Sequence, residues 1–406
     1  MNADKIESAV LRYGTPLYIF DMDILMEELG RFRKNLSPEI GLCYAMKANP
    51  FVTEQMAAAA DRIEVCSMGE FRICRNLRIS PERLLISGVL KKKEDILEIL
   101  DYCGKKSIYT VESPNQFYCF VKWCAEQNQD LSVYLRLTSG NQFGMDEETV
   151  IGLIRERKQY PNLKIRGIHY FSGTQKRSLE QIRKELEYLD DFLMMVKKKE
   201  QFEIQELEYG PGLAVSYFRG KEKQVCRDDE IKQISGMMEK MKWKGRITLE
   251  MGRALAAMCG YYLTEVCDIK QSGNTNYCIV DGGIHQMNYD GQIRGMYMPH
   301  VSVWPGTASE GKRKETSWTV CGALCTVNDV LCRNIRLGEV KTGDVLVFER
   351  TGAYSVTEGM SLFLSHDLPK VVFYCERMGW KLVRNRMHSY VFNTPGTDDR
   401  EYMDEK

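Results

Sequence analysis

From about residue 40 to 250 the chain alternates short apolar runs with longer amphipathic stretches. The runs are "GLCYAM", "IEVCS", "RLLISGV", "KSIYTV", "LSVYLRL", "KIRGIHYF", "IQELEYG" and "RITLEMG". Short continuous runs of this kind read as strands buried on both faces. The stretches between them, such as "KKKEDILEIL" and "SLEQIRKELEYLDDFLMMVKKK", place apolar residues three and four apart, which is the helix period. Seven or eight strand-then-helix units in succession predict a closed (β/α)8 barrel, a fold of about 250 residues. A doubly wound open sheet is the alternative. No GxGxxG or GxxxxGK stretch follows the first run, which weakens its nucleotide-binding versions.

After about residue 255 the texture changes. "GYYLTEVCDIKQSGNTNYCIVDGG", "KRKETSWTVCG", "GDVLVFERTGAYSV" and "KVVFYCERMGWKLVRNR" alternate and are cut by Gly, Asn and Asp, so they read as antiparallel strands. "TPLYIFDMDIL" near the start is also strand-like. The expected organisation is therefore an N-terminal segment, 1–30, that pairs with a C-terminal, mostly β domain, 256–406, around a barrel at 31–255.

Composition narrows the function classes. The chain has 406 residues, 44% of them apolar, enough for a sizeable core. Its 56 basic and 56 acidic residues cancel, which gives no electrostatic reason to expect nucleic acid or an anionic membrane. No apolar run reaches the roughly 18–20 residues of a transmembrane helix. The polar start "MNADKIESAV" lacks the plan of a signal peptide, so a cytoplasmic location is the expectation. Fourteen cysteines without a CxxC pair, and only five histidines, read as reduced and mostly buried thiols rather than a zinc site.

In a (β/α)8 barrel, chemistry gathers at the C-terminal ends of the strands. The polar oddities of this sequence fall there. Lys47 ends the first run in "YAMKANP", either as a snorkelling surface lysine or as an amine held for covalent chemistry. Glu64 and Ser67 flank the second, and His169 lies near the end of "KIRGIHYF". "YGPG" (209–212) and "EMGR" (250–253) end the last two. Each is a tight connection, or a place where backbone N–H groups and the Arg253 guanidinium meet phosphate oxygens. Glu250 is a surface or Arg253-paired carboxylate, or one that keeps a pyridine nitrogen protonated. An amine, such a carboxylate and a phosphate cradle jointly imply pyridoxal phosphate. In the β region, Cys321, Cys325 and Asp329 of "CGALCTVNDVL" and Tyr354 of "TGAYS" fill a strand and turn or face a ligand.

Taken in order, "YAMKANP", "EVCSMGE", "GIHYFSGTQ", "YGPGL", "EMGR", "VDGG", "CGALCTVNDVL" and "GDVLVFERTGAYS" resemble the fold type III pyridoxal-phosphate decarboxylases, the family of diaminopimelate, ornithine and arginine decarboxylases. The resemblance covers most of the chain. It implies a TIM-like barrel of the alanine racemase kind, a C-terminal β domain and a homodimer with shared active sites. It further implies that Lys47 carries the cofactor and that Glu250 meets its ring nitrogen. Gly210, Gly212 and Arg253, with Thr174, would hold the phosphate. Tyr354, His169 and Phe171 would lie near the cofactor, and Glu64 and Arg136 would support its surroundings. Cys325 would reach in from the partner subunit and return a proton after carbon dioxide leaves. Arg294, Tyr297, Thr326 and Asp329 would line the substrate pocket.

Two positions depart from the family pattern. Phe171 stands where most members place the histidine that stacks on the ring; it packs but exchanges no proton. Thr326 stands where diaminopimelate and ornithine decarboxylases place an acid for the distal amine, and a hydroxyl forms no ion pair with an ammonium. These departures are similar to a branch tied to specialised metabolism, which includes the enzyme acting on a glutamyl group carried by an acyl carrier protein. The expected activity is α-decarboxylation of an amino acid or of such a conjugate. The alternatives are a free diamino acid as substrate, an amino-acid racemase, and a pyridoxal-phosphate-binding protein without turnover.

Overall fold

A computed structural model of the chain describes residues 1–220, 227–289, 292–305 and 316–396. They form two compact units: a barrel unit (28–215 and 227–255) and a β unit (1–27, 216–220 and 256–396). The final ten residues, which the sequence reading included in the β domain, lie outside the described residues.

Strands are numbered along the chain, and β1 (Leu17–Asp21) belongs to the β unit. The barrel consists of β2 (Gly41–Ala45), β3 (Arg62–Val65), β4 (Leu84–Ile86), β5 (Ile108–Val111), β6 (Leu131–Leu137), β7 (Leu163–Phe171), β8 (Glu206–Gly210) and β9 (Arg246–Met251). Each pairs in parallel with the next, and β9 closes on β2. The eight apolar runs are these eight strands. Helices return the chain between them. In the longest, Leu179–Lys199, Ile182, Leu186, Leu189, Leu193 and Val196 form the buried face, and Lys197, Lys198 and Lys199 sit on the last turn, where cations favour the helix dipole.

The barrel interior is not uniformly apolar. Arg62 donates to Glu206 at 2.7 Å and to Glu208 at 3.1 Å, while the Tyr134 hydroxyl contacts both Arg62 and Glu206. This cross-barrel network gives buried charges the partners they need. It draws on β3, β6 and β8, which no local sequence pattern connects.

The β unit holds one nine-stranded sheet. Its remaining strands are β10 (Gly260–Ser272), β11 (Thr275–Val280), β12 (Val301–Trp304), β13 (Thr316–Cys321), β14 (Val330–Leu337), β15 (Val345–Glu349), β16 (Lys370–Cys375) and β17 (Gly379–Arg384). β1 pairs antiparallel with β10 and parallel with β16. Its Leu17 and Ile19 share a core with Leu263, Val345, Val347 and Val372, onto which the helix Ala3–Tyr13 lays Ile6 and Ala9. The sheet is not wholly antiparallel: β1 with β16 and β11 with β13 run parallel. Parallel neighbours require long connections, and both pairs are distant in sequence. Among the described residues no helix is long and apolar enough to cross a membrane.

Candidate active site

Lys47 follows β2 in a short 3-10 turn, Met46–Ala48, so the amine sits at the strand's C-terminal end. Asn49 stops that turn. Its side chain accepts the Phe51 N–H at 3.1 Å, and its carbonyl accepts the Tyr44 hydroxyl at 3.0 Å. Gly252 closes the other side; a Cβ there would stand 2.8 Å from Ala48 Cβ, so the β2 and β9 ends meet only because this residue is glycine.

Three strand-end side chains converge on the amine. Lys47 Nζ lies 2.5 Å from Glu64 Oε2 and 3.7 Å from Glu250 Oε1. Glu64 and Glu250 are buried, whereas the Lys47 side chain is 40% exposed. Glu250 Oε2 lies 2.8 Å from Nε2 of the fully buried His169, close but not aligned as a hydrogen bond. Burial alone would raise the Glu250 carboxyl. The Lys47 ammonium, then His169 and Arg136, outweigh it and hold the group well below the usual carboxylate range. Arg136 is itself fixed by Glu112 at 2.7 Å, whose other oxygen accepts the Gly144 N–H at 3.0 Å.

The ends of β7 and β8 form a second feature. Gly212 has φ +60°, and a Cβ there would overlap the Gly173 carbonyl oxygen. The Lys176 N–H donates to the Gly212 carbonyl at 2.8 Å, joining the two loops. Gly210 has a separate reason to be glycine: its Cβ would meet the Phe171 ring at 2.6 Å. Phe171 and Gly173 are half-buried and Thr174 is exposed. From the adjacent helix, Glu185 accepts from Ser172, from Lys176 at 2.7 Å and from Tyr209 at 2.7 Å, which orders the loop from below. Arg253 is buried directly after Gly252.

The barrel thus brings Glu64, His169 and Glu250 within 4.8 Å of one another and pairs Lys47 with both carboxylates, with Arg136 close enough to act on Glu250. The remaining expected residues lie in the β unit. Cys325 is exposed and Thr326 half-buried in the turn between β13 and β14. Arg294 takes φ +50° and donates to Asn328 Oδ1 at 2.6 Å. Tyr297 is held by Gln292 through both its N–H and its carbonyl and packs against Phe218, with ring centres 5.0 Å apart. Tyr354 takes φ +66°, an uncommon backbone for a non-glycine residue.

Asp329, expected in the substrate pocket, also has a structural part. Its buried carboxylate accepts the N–H groups of Ile284 at 2.9 Å and Leu324 at 2.7 Å, which makes it a brace for the Cys325 turn.

Three residues escaped the sequence reading. Cys66 Sγ lies 3.1 Å from Glu64 Oε1 and 3.6 Å from Lys47 Nζ. Its position two residues after Glu64 was the available signal, since alternate strand residues share a face. Glu112 pairs with Arg136. Lys91, after β4, donates to the Gly88 carbonyl at 2.5 Å and to Gln116 at 3.3 Å. Burial pulls its ammonium down to about 8 against the opposing pull of Glu112.

The arrangement fits pyridoxal phosphate. It offers a partly exposed amine, a carboxylate held ionised beside it, and a glycine turn at 212 that no Cβ could enter without striking the Gly173 carbonyl.

The comparisons with known proteins agree. Residues 17–352 match the family model described as "Pyridoxal-dependent decarboxylase, C-terminal sheet domain". The chain is 25% identical to the L-glutamyl-[BtrI acyl-carrier protein] decarboxylase of Niallia circulans, over 91% of each protein. It is 25% identical to the diaminopimelate decarboxylase of Aquifex aeolicus, over 95% of this chain and 92% of that one. The crystal structure of the diaminopimelate decarboxylase of Methanocaldococcus jannaschii shares the fold with a TM-score of 0.84 at 22% identity, covering 97% of this chain and 94% of that one. The chain belongs to the pyridoxal-dependent decarboxylase family and is an enzyme of the carboxy-lyase type that uses pyridoxal phosphate.

Proposed function

We propose that the chain decarboxylates the α-carboxylate of a free diamino acid of the diaminopimelate class, with Lys47 as the attachment point of the cofactor. The observation that carries this reading is the convergence of Lys47, Glu64, His169 and Glu250 at the C-terminal strand ends of the barrel. Most of the relatives described as decarboxylases at about 25% identity act, by their names, on diaminopimelate, which supports this substrate class.

Pyridoxal phosphate, when bound, supplies an electron sink for the carbanion left by departing carbon dioxide. The chain's own residues do the rest. Glu250 stays ionised under the influence of Lys47 and His169, so it holds a proton on a ring nitrogen facing it. His169 lies 2.8 Å from the Glu250 carboxylate and favours its ionised form, and Glu64 steadies the Lys47 amine. The backbone around Gly212, with Gly210, Thr174 and Arg253, would hold the phosphate, and Phe171 would offer an apolar face to the ring. Tyr354 is among the residues that would contact the cofactor. The enzyme works as a homodimer in which Cys325 of the partner copy protonates the α-carbon. Arg294 clamps the distal carboxylate, while Tyr297 and Thr326 contact the substrate's far end.

A second reading rests on Thr326. A neutral hydroxyl fits a substrate without a distal ammonium, such as a glutamyl group on a carrier protein. One experiment decides between them. The cofactor-loaded protein is offered diaminopimelate, ornithine and glutamyl–carrier conjugates, and carbon dioxide and amine are measured by mass spectrometry. Turnover of diaminopimelate supports the first reading; turnover of the conjugate alone replaces it with the second. Racemised amino acid without carbon dioxide would overturn both. The shared site is tested by mixing inactive Lys47→Ala and Cys325→Ala proteins: activity returns on mixing if each dimer pools its residues, and stays absent if sites are confined to one chain.

A further inference from the structure

The cluster around Lys47 has the composition of a metal site. One oxygen of Glu64, one of Glu250 and one ring nitrogen of His169 all lie within 4.8 Å of one another. All three residues are buried. His169 is the second, independent sign. Its Nε2 faces Glu250 without a hydrogen-bond alignment, and its Nδ1 has no hydrogen-bond partner among the described residues. A fully buried imidazole is seldom left this way unless its lone pair serves a ligand.

We propose that the cofactor-free protein binds one divalent cation of the zinc type on Glu64, His169 and Glu250, in the place otherwise filled by the Lys47 ammonium, so that metal and cofactor exclude each other. The exclusion rests on the cofactor site proposed above; the metal site itself does not. Two carboxylates and an imidazole are a known zinc donor set, with ligand distances of about 2.0–2.2 Å. Tetrahedral ligands at that distance stand about 3.4 Å apart. His169 and Glu250 are already within 2.8 Å, so Glu64 makes most of the adjustment. The ammonium, 2.5 Å from Glu64 and 3.7 Å from Glu250, marks where positive charge is favoured. The exposed side of Lys47 supplies an entry path and leaves the fourth position to water. Binding makes no covalent change; the lysine swings out, and one cation replaces another.

The test uses the full-length protein stripped of cofactor and dialysed against zinc alone, with retained metal counted by mass spectrometry. One equivalent is expected on the wild type. Affinity should fall on the order of 100-fold in His169→Ala and rise in Lys47→Ala, with circular dichroism checking that each variant is folded. Added pyridoxal phosphate should release the zinc. Fourteen cysteines offer a rival site, so cobalt is used as a second probe. Its visible bands should lack the charge-transfer absorption of a thiolate ligand. No retained zinc, equal retention by His169→Ala, indifference to pyridoxal phosphate, or a thiolate band would each overturn the proposal. Specific zinc binding by a protein that turns over none of the substrates would leave this site standing and count against the proposed reaction.

Discussion

Two charged clusters occupy the same barrel and share its strands, yet they differ in how they are closed. The inner one joins Arg62, Tyr134, Glu206 and Glu208; the outer one joins Lys47, Glu64, His169 and Glu250. β3 contributes to both, with Arg62 pointing to the first and Glu64, two residues on, to the second. In the inner cluster the guanidinium spans two carboxylates and a phenol, so its charge is answered within the protein. In the outer cluster the cation is partly exposed and an imidazole nitrogen is unmatched. The side-chain types are alike. Glu208 Oε1 also lacks a hydrogen-bond partner among the described residues, so what separates scaffold from site is the cation: buried and multiply paired in the inner cluster, partly open to solvent in the outer one.

The largest effect that would sharpen this contrast is at Lys47. Lys47→Ala should lower carbon dioxide release on the order of 10,000-fold, because it removes the amine proposed to carry the cofactor. Its melting temperature should fall less than that of an inner-cluster variant, since water reaches the position the amine leaves beside Glu64 and Glu250. Arg62→Met should do the reverse. It removes the guanidinium that Glu206, Glu208 and Tyr134 share and leaves Glu206 only Arg166 as a countercharge, at a cost of about 3–5 kcal/mol. Thermal unfolding should shift downward by roughly 10 °C, while activity per folded molecule is retained. If Arg62→Met instead abolished activity at an unchanged melting temperature, the inner cluster would belong to the site and the comparison would break.

Glu208 tests the inner cluster by pH. Burial first, then the charge of Glu250, pushes its carboxyl up to about 8 against the opposing pull of Arg62. The folded protein therefore keeps this proton to about pH 8, whereas the unfolded chain releases it near the ordinary value of 4.5. Between those values the folded state binds more protons, so stability declines as pH rises through the window. Glu208→Gln mimics the protonated acid and removes that decline. Relative to the wild type it should gain nothing below the window and on the order of 3 kcal/mol above it. Urea unfolding on both sides of the window measures this. A wild type and variant that stay parallel across it would show that Glu208 is ionised in the folded barrel.

Much of this was legible in the sequence, for a physical reason. Strands of a parallel barrel are buried on both faces, so they stand out as continuous apolar runs, and a charged residue at the end of one is conspicuous. Lys47, Glu64, His169 and Glu250 were found that way. Arg62, Glu206 and Glu208 were not, because they lie within or at the start of the runs and their partners are more than 140 residues away. The parallel pairing of β1 with β16 was hidden by the same kind of separation. The bracing part of Asp329 was hidden because a carboxylate in a turn looks alike whether it faces a ligand or holds backbone N–H groups. Glycines misled less: Gly212 marks a close approach of two loops, whereas Gly210 also makes room for Phe171, a role visible only once the ring is placed.

The smallest expected effect lies at Cys66, and it asks how far the outer cluster extends. Burial first, then the Glu64 carboxylate, drives the thiol well above its ordinary value, so it remains neutral and donates to Glu64 Oε1 at 3.1 Å. That contact holds one oxygen of Glu64, while Lys47 donates to the other and lies 3.6 Å from the sulfur. Cys66→Val fills the space without a donor, and Cys66→Ser keeps the donor in a smaller volume. One lost hydrogen bond to a charged group that still has its ammonium partner is worth about 0.5–1.5 kcal/mol, or roughly 2- to 10-fold in rate. The valine variant should therefore lose that much in kcat/KM, the serine variant should recover most of it, and both should melt as the wild type does. Equal losses in the two variants would mean that sulfur acts by size and not by donation, and the outer cluster would then end at Glu64.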